Sequence, residues 1–188
     1  MCIRDRYKRF PADNGYGSTD KFLLDKPELK NLKGLVMKHC EHFIHDVLDV
    51  RKDCKFEMTN SWSTKHMKGD ESGAHNHANA MISGVLYLQT DDDSGAILFH
   101  KDKSNFNLFT PTIDVPFNNE KLNVFNTDGW AIKPKNNMLI LFPSTLYHSV
   151  YPNESDIERY VVAFNLFAFG KFGYDNVVQL GIENKTVA

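Results

Sequence analysis

Nowhere does this 188-residue chain hold an apolar run long enough to cross a bilayer. Its longest, such as MLILF, falls far short of the ~20 residues a spanning helix needs. The N-terminus, MCIRDRYKRF, lacks the hydrophobic stretch of a secretory signal. Cysteine is scarce: Cys2, Cys40 and Cys54 make an odd count with no CxxC spacing, which rules against a disulfide scaffold and fits free thiols in a reducing cytoplasm. An excess of either charge is missing too, since 22 Lys and Arg stand against 24 Asp and Glu, a net charge of −2. With no basic stripe, nucleic acid and anionic membranes are poor candidates for a partner. Repeats, low-complexity tracts and charge blocks are absent. The expectation is one domain over residues 1–188, cytoplasmic, with no membrane association. Residues 1–6 (MCIRDR) read as the translated end of a fragment, so the N-terminus is taken as truncated, with room for an edge strand upstream.

The chain is rich in aromatics, with fourteen Phe and seven Tyr, as a β-rich core would be. One helix is expected, roughly over 27–50. Pro27 suits its first turn, Asp25 and Glu28 suit the positive end of its dipole, and Leu29, Leu32, Val36, Cys40, Phe43 and Val47 make a buried stripe. His39, His42 and His45 also lie on that helix; His42 and His45 point away from the stripe, and solvated surface histidines are the reading. Before the helix, DNGYGS reads as a turn. From Lys55 the period becomes two. Phe56 to His66 is a strand with Met58, Asn60, Trp62, Thr64 and His66 on one face. KGDESG and DDDSG are turns, and AMISGVLYLQT, AILFH and RYVVAFNLFAF are strands. WAIKP-KNN-MLILFP has a hairpin signal, with Asn136 or Asn137 suited to positive φ. The aperiodic stretch Lys101–Lys121 reads as a lid. The fold class expected is mainly β with one long N-terminal helix, a double-stranded β-helix of the jelly-roll, cupin-like kind.

Three histidines and an arginine carry the chemistry. His75 and His77 sit one residue apart and, on a strand, point the same way. His148 after the FPS turn is placed to supply a third ligand from the opposite sheet. Two nearby imidazoles and a distant third suit a metal with open positions for cosubstrate and oxygen. Arg159 opens the last strand, where a guanidinium offers a two-pronged donor for a carboxylate and stays charged when buried. The plainer readings are exposed turn histidines and a surface Arg159 paired with Glu158 or Asp156.

The segments SW…KGD…HNHANAMISGVLYL, SGAILFH, MLILFPSTLYHSVYPN and ERYVVAFN, spread from about Asn14 to Phe169, resemble an uncharacterised 2-oxoglutarate/Fe(II) oxygenase family of H-x-H type, common in marine bacteria and phages. The resemblance implies a double-stranded β-helix, Fe(II), 2-oxoglutarate and O2, and hydroxylation of a substrate with release of succinate and CO2. It places His75, His77 and His148 on the metal, Arg159 on the distal carboxylate of 2-oxoglutarate, and Thr64 and His66 among the cosubstrate contacts.

Two departures stand out. The wider superfamily has H-x-D/E, so His77 replaces a carboxylate and leaves the metal more positive, or stays off it and leaves an open position. Val161 stands where many relatives have a Ser that helps the arginine, and Tyr160 and Tyr147 are the compensating phenols to check. The alternatives are a three-His cupin-type dioxygenase that does not use 2-oxoglutarate, and a non-catalytic jelly-roll binding module. A small molecule and a protein side chain both remain open as substrate, and oligomeric state is not legible.

Overall fold

A computed structural model describes residues 6–10, 15–101, 120, 121, 127, 129–174 and 176–183. The lid expected at Lys101–Lys121 lies almost wholly outside them. In chain order, β1 (Tyr7–Arg9) and β2 (Tyr16–Ser18) precede the helix α1 (Lys30–His42). β3 (Lys55–His66), β4 (Ser72–His75), β5 (Ile82–Gln89) and β6 (Ile97–His100) follow. β7 (Gly129–Ile132), β8 (Leu139–Pro143), β9 (His148–Val150), β10 (Arg159–Phe172) and β11 (Leu180–Ile182) complete the order. The larger sheet runs β1-β2-β3-β10-β5-β8, with β11 on the far end of β10, and the smaller runs β4-β9-β6-β7. From β3 to β10 the chain shuttles between the two sheets, and all named pairings are antiparallel. This is the jelly roll that the sequence implies.

Alternation along β10 divides core from cavity. Val162, Phe164 and Leu166 are at most 2% exposed and pack with Leu24, Val36, Cys40, Ile44 and Ile82 beneath the helix. Each such side chain contributes ~1.5–3 kcal/mol by leaving water. The intervening Arg159, Val161, Ala163 and Asn165 face the space between the sheets. β3 follows the same division, with one correction. Asn165 pairs with Asn60 but Leu166 pairs with Met58, so Thr59 is an extra residue that bulges. The bulge switches faces. Met58 therefore packs against the helix-side core, while Asn60, Trp62, Thr64 and His66 line the cavity.

Four further expectations are corrected. The hairpin does not form: β7 pairs with β6 and β8 with β5, because the turn at Asn137 (φ +65°) carries the chain from one sheet to the other. Tyr16–Ser18, read as turn, is β2, held on the edge of β3. Ser72–His75, read partly as turn, is β4. Finally, the helix does not keep one stripe to its end. Pro27–Leu29 is a 3-10 turn before α1, and Phe43–Val47 widens into a π turn. Ile44 is then buried and Val47 is 61% exposed. His45 Nδ1 donates to Val50 O (2.8 Å) and His42 meets Asp46 (2.7 Å), so these histidines serve the helix end.

Candidate functional site

The smaller sheet sets two histidines side by side. His75 closes β4 directly opposite His148, which opens β9. Ser72 pairs with Val150, so three residues on β4 span two on β9, and this bulge turns both Ser72 and His75 inward. His148 thus comes from the strand next to His75, not from the opposite sheet. His77 lies past the strand end, in a turn pinned by its own N–H donating to Ser144 O (2.9 Å). Asn79 takes φ +57° in that turn. The three imidazole centroids are 4.4 to 5.3 Å apart. One nitrogen from each lies within 4.8 Å of the others, and they form the one group of this kind among the described residues.

Hydrogen bonding decides which nitrogens converge. His75 Nδ1 faces Gly73 O (2.8 Å), His148 Nδ1 faces Leu146 O (2.9 Å), and His77 Nδ1 faces Asn165 Oδ1 (2.7 Å). A carbonyl oxygen only accepts, so all three Nδ1 atoms carry the proton and all three Nε2 lone pairs are free. Asn165 is itself fixed, donating from Nδ2 to Asn60 Oδ1 (3.0 Å) and accepting from Ser83 Oγ (2.8 Å). Burial pushes His148 down to about 4, opposed by its bond to Leu146 O, with His75, His77 and His100 adding to the depression. Burial likewise lowers His77. Neutral imidazoles with oriented lone pairs fit a divalent metal. Asn165 and Ser83 were not singled out as site residues from sequence; the signal available was that Asn165 shares the inward face of β10 with Arg159.

Arg159 occupies the other end of the same cavity. It is 2% exposed, and the surface reading fails because Glu158 pairs with Lys65 (3.1 Å) and Asp156 with Lys68 (2.7 Å). Its Nη1 donates to Ser94 O and to Gly95 O (3.2 Å), and its Nη2 donates to His66 Nδ1. His66 is 3% exposed and must be neutral to accept, with Nε2–H left to donate to Ser72 Oγ (3.3 Å). Burial, then the Arg159 charge, holds His66 down to about 3. Two glycines make this corner. Gly95 has φ +79°, and a Cβ there would stand 2.3 Å from Tyr151 O. Gly15 lies over His66, where a Cβ would stand 2.1 Å from Cδ2. Burial lowers Arg159 to about 10, countered by Tyr87 and Asp70, and the guanidinium stays charged at neutral pH.

Between these ends lies a cavity of about 480 Å³, within the range of small-molecule sites. Thr64 lines its floor opposite Val161. Val161 offers no hydroxyl, and neither expected phenol supplies one: Tyr160 donates to Glu158 Oε2 (2.6 Å) and Tyr147 is 49% exposed beside His100. Tyr87, the β5 partner of Val161 and 2% exposed, lines the cavity instead.

Comparison with known proteins bears on the fold and the family. Similar solved structures include a 2OG-Fe(II) oxygenase family oxidoreductase from Burkholderia pseudomallei (TM-score 0.58, 15% identity, 86% of this chain and 72% of that one). HygX from Streptomyces hygroscopicus with nickel and 2-oxoglutarate has TM-score 0.52 and 9% identity, over 84% of this chain and 71% of that one. The non-heme α-ketoglutarate-dependent epimerase SnoN from nogalamycin biosynthesis has TM-score 0.63 and 8% identity, over 98% and 82%. At these identities the likeness concerns the fold. No curated protein matches the sequence, and no helix among the described residues is long and apolar enough to cross a membrane. A family model for 2OG-Fe(II) oxygenases matches residues 60–165, the stretch carrying the three histidines and Arg159. This chain belongs to the 2OG-Fe(II) oxygenase family, enzymes that use Fe(II) and 2-oxoglutarate.

Proposed function

We propose that His75, His77 and His148 hold Fe(II) through Nε2, and that 2-oxoglutarate lies between that metal and Arg159. The observation carrying this reading is a buried, carboxylate-free arginine and three oriented imidazole lone pairs at opposite ends of one cavity. When bound, iron and 2-oxoglutarate supply oxygen activation, with succinate and CO2 as coproducts and hydroxylation of the substrate as the outcome. The chain's own residues bind, orient and exclude water. Arg159 is the cation for the distal carboxylate, its fork set by His66 and the Ser94 and Gly95 carbonyls. Thr64 and Tyr87 are the hydroxyls within the cavity assigned to that carboxylate, Tyr87 taking the place that Val161 leaves empty. Asn165 holds the His77 ring. With His77 as a neutral third ligand the metal keeps its full charge, and the carboxylate of 2-oxoglutarate offsets it.

The substrate is proposed as a small molecule or an accessible side chain. HygX, of similar fold, has been solved with hygromycin B bound. The free thiols of Cys40 and Cys54 support work in a reducing cytoplasm. The test is succinate release from 2-oxoglutarate by the Fe(II)-loaded protein, followed by NMR. Iron-dependent succinate formation, abolished in His148→Ala, is expected. Iron bound tightly with no 2-oxoglutarate consumption, in the presence of any fractionated metabolite pool, would overturn the reading in favour of a three-His dioxygenase.

A further inference from the structure

Among the described residues lining the cavity there is no Asp or Glu, but there are two cations, Arg159 and Lys21. Arg159 is spoken for by the cosubstrate. Lys21 stands elsewhere. Its Nζ lies 5.6 Å from the Phe10 ring centroid and 5.8 Å from that of Trp62, and the Trp62 ring lies 6.0 Å from that of His77. The ammonium is therefore one indole away from the metal-side imidazole. Its backbone is fixed, Lys21 O accepting from Ser61 N–H (2.7 Å) next to Trp62. Asp20, the adjacent acid, is turned to Lys26 Nζ (2.9 Å) and to Phe22 N–H (2.8 Å). No carboxylate pairs with Lys21 among the described residues.

We propose that Lys21, framed by Phe10 and Trp62, receives an anionic group of the substrate, a carboxylate or a phosphate, and so orients the rest of that molecule toward the metal. The inference rests on the reading of this cavity as the Fe(II) and 2-oxoglutarate site. Charge makes the case. A divalent metal on three neutral imidazoles, with Arg159 buried at one end and Lys21 at the exposed edge, brings four positive charges to one cavity, and 2-oxoglutarate offsets two. A neutral or cationic substrate would leave the remainder to solvent alone, whereas an anion at Lys21 pairs the ammonium on the side that the Phe10 and Trp62 rings leave open to the cavity. The aromatic walls add shape: they hold the ammonium in place through their ring faces and exclude water from one side of it. The partial desolvation of Lys21 lowers its pKa, an effect that an anionic partner would reverse.

Trp62 provides the signal. The chain has two tryptophans, so in a Trp130→Phe background Trp62 is the sole indole. The protein is loaded anaerobically with Fe(II) and 2-oxoglutarate, its visible absorbance recorded, and its fluorescence titrated with inorganic phosphate and, separately, with acetate. A saturable change is expected for at least one anion, weakened about tenfold or more in Lys21→Gln and kept in Lys21→Arg; the tighter anion names the group. An equal response in Lys21→Gln, or no saturable response to either anion, would overturn the proposal. The absorbance separates the two readings: its charge-transfer band present without a Lys21-dependent response defeats this inference alone, and its absence defeats the metal and cosubstrate assignment on which the inference rests.

Discussion

Asn165→Ala tests whether His77 is a ligand, because it acts on His77 without touching that ring's metal-facing atom. The substitution removes the acceptor of His77 Nδ1–H (2.7 Å), the acceptor of Ser83 Oγ–H (2.8 Å) and the donor to Asn60 Oδ1 (3.0 Å). Loss of such an outer hydrogen bond typically weakens metal binding ~10–100-fold, or ~1.4–2.7 kcal/mol. The structure points to the lower end of that range. Ser83 Oγ already lies 3.2 Å from His77 Nδ1 and can accept the orphaned N–H once Asn165 no longer claims it. Asn165→Ala alone should therefore cost about tenfold in Fe(II) affinity, and the double variant Asn165→Ala/Ser83→Ala should approach a hundredfold. The assay is anaerobic Fe(II) titration by calorimetry, with unfolding midpoints recorded with and without metal. The metal-induced rise in midpoint should shrink in step with affinity. Iron affinity within twofold of wild type in both variants, with the fold intact, would refute the reasoning and take His77 off the metal.

Three further outcomes follow from the Arg159 corner. His66 takes a proton near 6.5 when unfolded but only near 3 when folded, so the unfolded chain binds more protons between those values and stability falls as pH drops through 6.5. Its share of that loss between pH 7 and 5 is about 2 kcal/mol; urea unfolding should show the decline shallower by that amount in His66→Gln, and parallel curves would contradict it. Arg159→Lys keeps the charge but loses the fork, and should raise the 2-oxoglutarate requirement ~10–100-fold with iron affinity unchanged; an unaltered requirement would place the cosubstrate elsewhere. Gly95→Ala combines φ +79° with a Cβ 2.3 Å from Tyr151 O and should cost more than ~2 kcal/mol, seen as a fall of several degrees in the thermal midpoint; an unchanged midpoint would contradict the packing described.

Much of the fold was legible because β10 and β3 run at a period of two over most of their length, and on β10 the outward Val162, Phe164 and Leu166 are all large and apolar whereas Arg159 and Asn165 lie on the other face. What period alone does not carry is where it slips. The bulge at Thr59 sends Met58 to the helix side, and the bulge on β4 brings both Ser72 and His75 inward, though they are three residues apart. Neither leaves a mark in residue type. The KNN turn likewise looks the same whether it closes a hairpin or crosses between sheets. In the site, His75, His77, His148 and Arg159 were legible from residue chemistry and spacing. The neighbours that orient them were less so, because Asn165 sits 88 residues from His77 and Gly95 64 from Arg159. The cation at Lys21 was not legible at all, since the segment crossing beside Ser61 precedes the helix and bears no motif.

The central claim is that three histidines and Arg159 form one Fe(II) and 2-oxoglutarate site. Its most direct measurement is anaerobic addition of Fe(II) and then 2-oxoglutarate to the metal-free protein, following the weak visible charge-transfer band of the chelate in wild type, His148→Ala and Arg159→Ala. The account predicts a band in wild type, none in His148→Ala, and one in Arg159→Ala only at far higher 2-oxoglutarate. Tight iron binding with no band in wild type, or a band indifferent to both substitutions, would contradict it.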